Sequence, residues 1–308
     1  MAVDQETEGL LAIAADMHRL TEGILDPTML PLLKVWDWKT APTRLPDKAD
    51  IQQALALTGW DKVRREPGKI FLPQAGMGLD FGGFGKEYAV DQVVQIARRH
   101  GIKDALIDLG RDLFGLGGNG LHPFWHVGIA DGLDPGQCWG GLAVSGFAVC
   151  ASGDYARRFE HAGVRYGHIL DPRSGWPVGN GLCAVTVLAP TCLQAGICST
   201  AVFVLGRKEG LRFANCAHGV EACPPSGRHA ARRPAPDGFA LQPHRLHHRR
   251  AHPNRFLSDH HPRLAGNQFQ RVFRARRLHH HGNRPPPAGW RSPANLRRFP
   301  STAAAPPR

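Results

Sequence analysis

Between residues 5 and 21, Leu10, Leu11, Ile13, Ala14, Met17 and Leu20 recur at the three- and four-residue spacing of a helix face, with polar residues between them. That pattern predicts an amphipathic helix ending before Gly23. GILDP then reads as a turn, and two Trp lie close together in the following LKVWDW. Short apolar runs predict strands at Lys69–Leu72 and Leu79–Phe81, bracketing the Gly-containing QAGMG. The period returns to helical from about Lys86 to His100, where Ala89, Val90, Val93, Val94 and Ile96 form the expected apolar face and Gly101 stops it. Further strands are expected in ALIDL (105–109), FWHVGIA (124–130), LAVSGFAVC (142–150) and LCAVTVLA (182–189). A last helix at about 191–205 carries Leu193, Ile197, Ala201 and Val204 on one face. Strands gathered in the middle with helices grouped to either side predict an α+β fold, a central and largely antiparallel sheet with flanking helices.

That pattern stops near Val220–Pro224. Residues 224–308 hold 17 Arg, 10 His and 14 Pro, no Lys or Ile, and only two acidic residues, Asp237 and Asp259, for a net of +15. The formal net charge of the whole chain is +12, so residues 1–223 carry a net of −3. Charge therefore gives no reason to assign nucleic-acid binding to the folded part. The domain division expected is 1–223 for the folded domain and 224–308 for a disordered basic tail, whose few apolar residues cannot offset about 1–2 kcal/mol of backbone ordering per residue. Such a tail fits a polyanion-binding arm by charge alone, but an Arg-, Pro-, Ala- and His-rich composition without Lys is also what GC-rich DNA yields out of register. The shifted frame is the favoured reading, and it implies a tail without evolved function.

No run approaches the roughly 18 apolar residues of a membrane span. MAVDQETEGL lacks the basic start of an export signal. Seven Cys with no CxxC argue against a disulfide framework or a zinc knuckle and are read mostly as small buried hydrophobes.

Three segments carry candidate chemistry. In LDFGGFGKEYAVDQV (79–93), a turn with Gly82, Gly83 and Gly85 leads to Lys86 at the opening of a helix. Unpaired helix N–H groups and the positive dipole end suit a pyrophosphate; a tight connection with a surface Lys suits the same residues. In RYGHILDPRSGWPV (165–178), His168 and Asp171 stand three apart before a Pro-Arg-Ser-Gly turn. His168 is a candidate base that Asp171 orients, or Asp171 caps the turn and His168 is a satisfied core residue. In APTCLQAGICSTAVFVLG (189–206), Ser199 and Thr200 offer hydroxyls, or back-bond within their helix.

Together and in this order, GILDPTMLPLLKVW, LDFGGFGKEYAVDQV, ALIDLGRDL, SGDYARRFEHAGVRYGHILDPRSGWPV and TVLAPTCLQAGICSTAVFVLG resemble the FAD:protein FMN transferases, the ApbE-like flavin transferases, over roughly Val3 to Cys223. The resemblance implies an enzyme that uses FAD and Mg2+ to attach FMN to a Ser or Thr hydroxyl of an acceptor protein. It implies contacts to FAD from Trp36, Asp37, Trp38, Asp80, Lys86 and Ile169. It also implies a Gly83 carbonyl and a Thr200 hydroxyl on magnesium, with His168 near the reacting phosphate and Asp171 beside it. Family members commonly work on the periplasmic side or anchored to a membrane, and no nucleic-acid partner is implied.

The chain departs from that family in three places. Many members carry Asp four residues before the Thr, where this chain has Gly196. A hard cation prefers carboxylate oxygens, so Asp171 or another group must compensate, or the chain holds FAD without transferring FMN. The family's opening strand and its Ser–Glu–Leu–Ser-type segment have no counterpart before Met1, which suggests an internal start. The basic tail stands where the last strands are expected after HGVEAC, and a sheet lacking strands at both ends is expected to expose edges and apolar faces.

Overall fold

The computed structural model describes residues 1–38, 44–131, 136–155, 157–217 and 219–223. The expectation of a disordered tail therefore falls outside the described residues. Five α-helices occur among them, α1 (Gln5–Leu20), α2 (Leu30–Trp36), α3 (Lys48–Ala56), α4 (Gly85–Arg99) and α5 (Cys192–Asn215), with one 3-10 turn at Trp60–Lys62. The strands are β1 (Arg64–Glu66), β2 (Lys69–Phe71), β3 (Ala105–Leu109), β4 (Asp112–Leu116), β5 (Trp125–Ala130), β6 (Cys138–Val144), β7 (Phe147–Gly153), β8 (Arg158–His161), β9 (Val164–Gly167), β10 (Ala184–Ala189) and β11 (Glu221–Cys223). A five-stranded sheet runs in the order β11-β10-β7-β4-β3, and β1-β2, β5-β6 and β8-β9 form separate hairpins. Every strand pairing is antiparallel.

The fold is α+β, with α4 and α5 packed together against the main sheet, α5 over β7 and β10 and α4 over β3 and β4. In α1, Asp4 caps the N-terminus by accepting from the Thr7 N–H at 2.7 Å, and Leu11, Ala14 and Met17 point inward. Thr191 caps α5 in the same way, accepting from the Gln194 N–H. A second cap comes from another element, since the Asp91 carboxylate on α4 accepts from the N–H groups of Cys192 (2.8 Å) and Leu193 (2.9 Å). A negative charge at that end satisfies two orphan donors and complements the helix dipole. α5 breaks its helical geometry at Gly206, whose φ of 81° favours glycine, and then continues.

Beneath α2 and α3 lies a second core in which Leu32, Trp36 and Ile51 are fully buried. Here the Trp36 ring stacks on Trp38 (5.7 Å between centroids, 9° between planes) and meets Trp176 edge-on at 5.3 Å, while Phe159 stacks on Tyr166. The Trp36 Nε1–H donates to the Gly175 carbonyl at 2.8 Å and so fastens the 171–175 turn to α2.

Several details differ from the pattern-based expectations. Residues 79–81 are not a strand: the Asp80 N–H bonds to the Pro27 carbonyl and the segment runs as a loop into α4. The run 142–150 is divided by Ser145–Gly146, so that β6 pairs with β5 while β7 enters the main sheet. On α4 the inward face is Glu87, Val90, Val94 and Ala97, whereas Val93 and Ile96 are exposed. Leu106 and Leu109 on the edge strand β3 are exposed as well. The helices α2 and α3 and the strands β4, β8 and β9 were not legible as separate elements, because short or polar segments lack a distinctive period. Of the seven Cys, Cys150, Cys183, Cys192 and Cys198 are buried, and none of the seven is in a disulfide. Among the described residues no helix is long and apolar enough to cross a membrane.

Candidate functional site

The N-terminal end of α4 is where separate stretches of chain meet. Asp80 closes the preceding turn by accepting from the Gly82 N–H at 2.8 Å. A Cβ at 82 would stand 2.7 Å from that same carboxylate oxygen, so a larger residue there would push the Asp80 carboxylate off this turn. Gly83 is exposed, and a Cβ there would meet nothing within 4 Å. No side chain caps α4, and although the Gly85 N–H bonds to the Phe81 carbonyl at 2.7 Å, the N–H groups of Lys86 and Glu87 are left to an anionic ligand or water.

Lys86 projects from that first turn and forms an ion pair with Asp112 at the start of β4. The Asp112 carboxylate is buried and the Lys86 ammonium half-exposed. Burial lowers the Lys86 pKa, but the hydrogen bond and charge of Asp112 outweigh it and hold the ammonium above its ordinary value.

The next residue, Glu87, turns inward against α5 and is 6% exposed. A Cβ built on Gly196 would lie 2.6 Å from both Cγ and Oε1 of Glu87, so the Glu87 side chain fills the space where a side chain at 196 would begin. Its Oε2 is buried with no hydrogen-bond partner. Desolvation, followed by repulsion from Asp112, pushes the Glu87 carboxyl up to about 7. One turn further along α5, the Thr200 hydroxyl is 2.9 Å from the Ser152 hydroxyl on β7, which also lies 2.8 Å from Ser199 Oγ. Ser199 bonds back to the Gly196 carbonyl at 3.0 Å, and Thr200 is the partly accessible hydroxyl of the two.

His168 follows β9, its backbone N–H held by the Arg157 carbonyl at 3.1 Å. Burial, and then the positive charge of Arg157 with a smaller effect from Lys86, lowers its pKa below the usual imidazole range. The influence of Lys86 puts His168 within electrostatic reach of the α4 N-terminus. Its Nδ1 is buried without a partner.

Some sequence-assigned residues stand elsewhere. The expectation that Asp171 orients His168 is not met, because the carboxylate serves its own turn. It accepts from the Arg173 N–H, Nε–H and Nη2–H at 3.0, 2.8 and 2.6 Å. Trp36 has no exposed surface, so its ring is core beneath Trp38 rather than a surface for a ligand. Asp37 is exposed in the left-handed region at the C-terminus of α2, Trp38 is half-buried, and Ile169 is half-buried with its carbonyl bonded to the Val178 N–H. The structure therefore sets Asp80, Gly83 and Lys86 at the start of α4 and Thr200 on α5 one turn beyond the Gly196 that Glu87 meets, and it adds Glu87, Asp112 and Ser152. Glu87 had one signal in the sequence, a carboxylate in register with Val90, Val94 and Ala97 on the inward face of α4. Asp112 and Ser152 had none. Among the described residues no three His, Cys, Asp or Glu side chains converge as a metal cluster.

A protein of Klebsiella pneumoniae (strain 342) named FAD:protein FMN transferase is 38% identical over 202 residues, covering 65% of this chain and 61% of the relative. One of Treponema pallidum (strain Nichols) with the same name is 31% identical over 238 residues, covering 72% and 66%. The chain thus spans about three fifths to two thirds of the length of these curated relatives. Among solved structures, the ApbE protein of Thermotoga maritima superposes with a TM-score of 0.66 at 31% identity, covering 73% of this chain and 74% of that one. The apo flavinyl transferase ApbE of Pseudomonas stutzeri gives 0.63 at 31% identity, covering 72% and 69%. The pattern of the ApbE family matches residues 1–224, and the chain belongs to that family.

Proposed function

We propose that this chain transfers FMN from FAD to a Ser or Thr hydroxyl of an acceptor protein, with magnesium as the assisting cation. What supports this reading is the start of α4, which no side chain caps, with its Lys86 ammonium, together with a His168 imidazole that feels the Lys86 charge and a partly accessible Thr200 hydroxyl. The α4 N–H groups and Lys86 bind the pyrophosphate of FAD by charge-assisted hydrogen bonds. Asp37, Trp38 and Ile169 are the remaining candidates for the rest of FAD, and Trp36 supports the Trp38 ring from behind.

In the reaction the acceptor oxygen forms a bond to the phosphorus of the FMN half. The bond from that phosphorus to the bridging oxygen breaks, and AMP leaves. His168 takes the hydroxyl proton, and its lowered pKa keeps the imidazole neutral and competent as a base at pH 7. Magnesium fits the donor types present, which are oxygens: the Thr200 hydroxyl, the Gly83 carbonyl and the orphaned Glu87 Oε2. A cation held there supplies positive charge to the phosphates as the bond breaks. Lys86 orients the same phosphates, since phosphoryl-type transfer depends chiefly on positioning and charge.

The test is the intact mass of a Thr-bearing acceptor peptide after incubation with the full chain, FAD and Mg2+. The expected result is a gain of one FMN that disappears with a chelator. Absence of any gain while FAD binds would refute the transfer.

A further inference from the structure

We infer that Glu87 is the carboxylate ligand of the cation in this chain and does the work of the side chain that Gly196 lacks; this rests on the flavin-transfer reading above. The packing of α4 on α5 supports it first. Asp91 meets the N–H groups of Cys192 and Leu193, and Glu87, one turn earlier on α4, meets Gly196, one turn later on α5. The helices are therefore antiparallel and matched turn for turn, about 5.4 Å per step. One more step leads to the turn holding Gly83 on one side and to Thr200 on the other, the two remaining oxygen donors.

Space supplies the second argument. Position 196 is a glycine with Glu87 Cγ, Oε1 and Cδ at 2.6, 2.6 and 2.9 Å from its would-be Cβ. No side chain at 196 can coexist with Glu87 as placed, and the carboxylate that occupies the gap arrives from α4 instead of α5. The two positions work as an exchange: an acidic residue at 87 with glycine at 196.

The third argument is the unspent hydrogen-bonding capacity of Glu87. Its Oε2 is buried without a partner, in a residue 6% exposed. A carboxylate oxygen left this way is costly, because its own desolvation is not repaid by a hydrogen bond. Lys86, its neighbour in sequence, is already paired with Asp112. A divalent cation relieves the cost directly by bringing positive charge against the unpartnered oxygen, and a carboxylate with hydroxyl and carbonyl oxygens is the donor set that a hard cation takes. Asp171, the other acidic candidate, is saturated by Arg173.

Mn2+, as a paramagnetic stand-in for Mg2+, is titrated into the full chain with saturating FAD, and free Mn2+ is read by its electron spin resonance signal. Glu87→Gln is expected to weaken Mn2+ binding at least tenfold, while metal-free FAD affinity, read by flavin fluorescence, changes less than twofold. Without metal, Glu87→Gln is expected to melt no lower than the wild type, since a neutral amide replaces a poorly solvated acid. The double variant Glu87→Gly/Gly196→Asp, which returns the carboxylate to α5, is expected to recover Mn2+ affinity to within about threefold of the wild type. Unchanged Mn2+ affinity in Glu87→Gln, alongside undiminished FMN transfer by the wild type, overturns the ligand assignment alone. Glu87-dependent Mn2+ binding without FMN transfer supports the assignment and overturns the transferase reading.

Discussion

Replacing Gly196 by Ala is predicted to destabilise this protein, although it places the best helix former in the interior of a 24-residue helix. In an open helix the change is worth about 0.8–1 kcal/mol in favour of Ala. Here the added methyl would lie 2.6 Å from Glu87 Cγ and Oε1 and 2.9 Å from Cδ. Cγ is not the free end of the side chain, so the whole of Glu87 must swing away from a place it fills. Overpacking of this kind costs about 1–3 kcal/mol, centred on about 2, which leaves a net loss of about 1 kcal/mol and at most about 2. In a Glu87→Ala background the obstacle is gone, and the same Gly196→Ala substitution is predicted to stabilise by up to about 1 kcal/mol. The interaction energy across the four proteins is therefore about 2 kcal/mol, within the range found for residues in contact. Urea denaturation of all four with a chelator present, at one pH, measures it. If Gly196→Ala has the same sign and size in both backgrounds, Glu87 does not occupy the space beside residue 196, and the account of the site falls with it.

Three further outcomes are expected. Because burial raises the folded-state pKa of Glu87 from 4.5 to about 7, the folded state binds its proton more tightly than the unfolded chain does. The Glu87 contribution to metal-free stability should therefore be fullest below about pH 4.5 and be lost as pH rises toward 7, by roughly 3 kcal/mol at 1.36 kcal/mol per unit. Denaturation curves that fall equally in wild type and Glu87→Gln would contradict that assignment. His168→Gln is expected to lower the FMN transfer rate by about 10²–10⁴ with FAD affinity maintained, and the wild-type rate should be flat above pH 7 and decline in acid as the imidazole protonates; a His168→Gln rate within threefold of the wild type removes it as the base. Trp36→Ala is expected to cost about 3–5 kcal/mol through the cavity left beneath Trp38, measured by urea midpoint, and a cost under 1 kcal/mol would mean that the aromatic stack is not the core of this region.

Much of the fold is written in periodicity. α1 and α4 appear within a residue or two of their predicted ends because their apolar spacing, acidic first turns or terminal glycines act locally. β3, β5 and β10 appear for the same reason, as apolar runs of strand length. The 142–150 run misled because it is continuous in hydrophobicity while Ser145–Gly146 sends its halves to different sheets. Val93 and Ile96 misled because a helix with apolar residues around more than half its girth does not declare which side faces the sheet.

Ordered motifs in the sequence alone determined the family and the glycine turn ahead of α4, and put Lys86, His168 and Thr200 forward as candidates, because each motif reflects local chemistry that survives without knowledge of the neighbours. Only the tertiary structure decided which candidates share a site. It bound Asp171 to Arg173, buried Trp36 completely, and set Glu87 of one helix against Gly196 of another, 109 positions later. That last pairing has no signature in either segment, since a buried carboxylate and an empty glycine acquire meaning only when helix packing fixes the few ångströms between them.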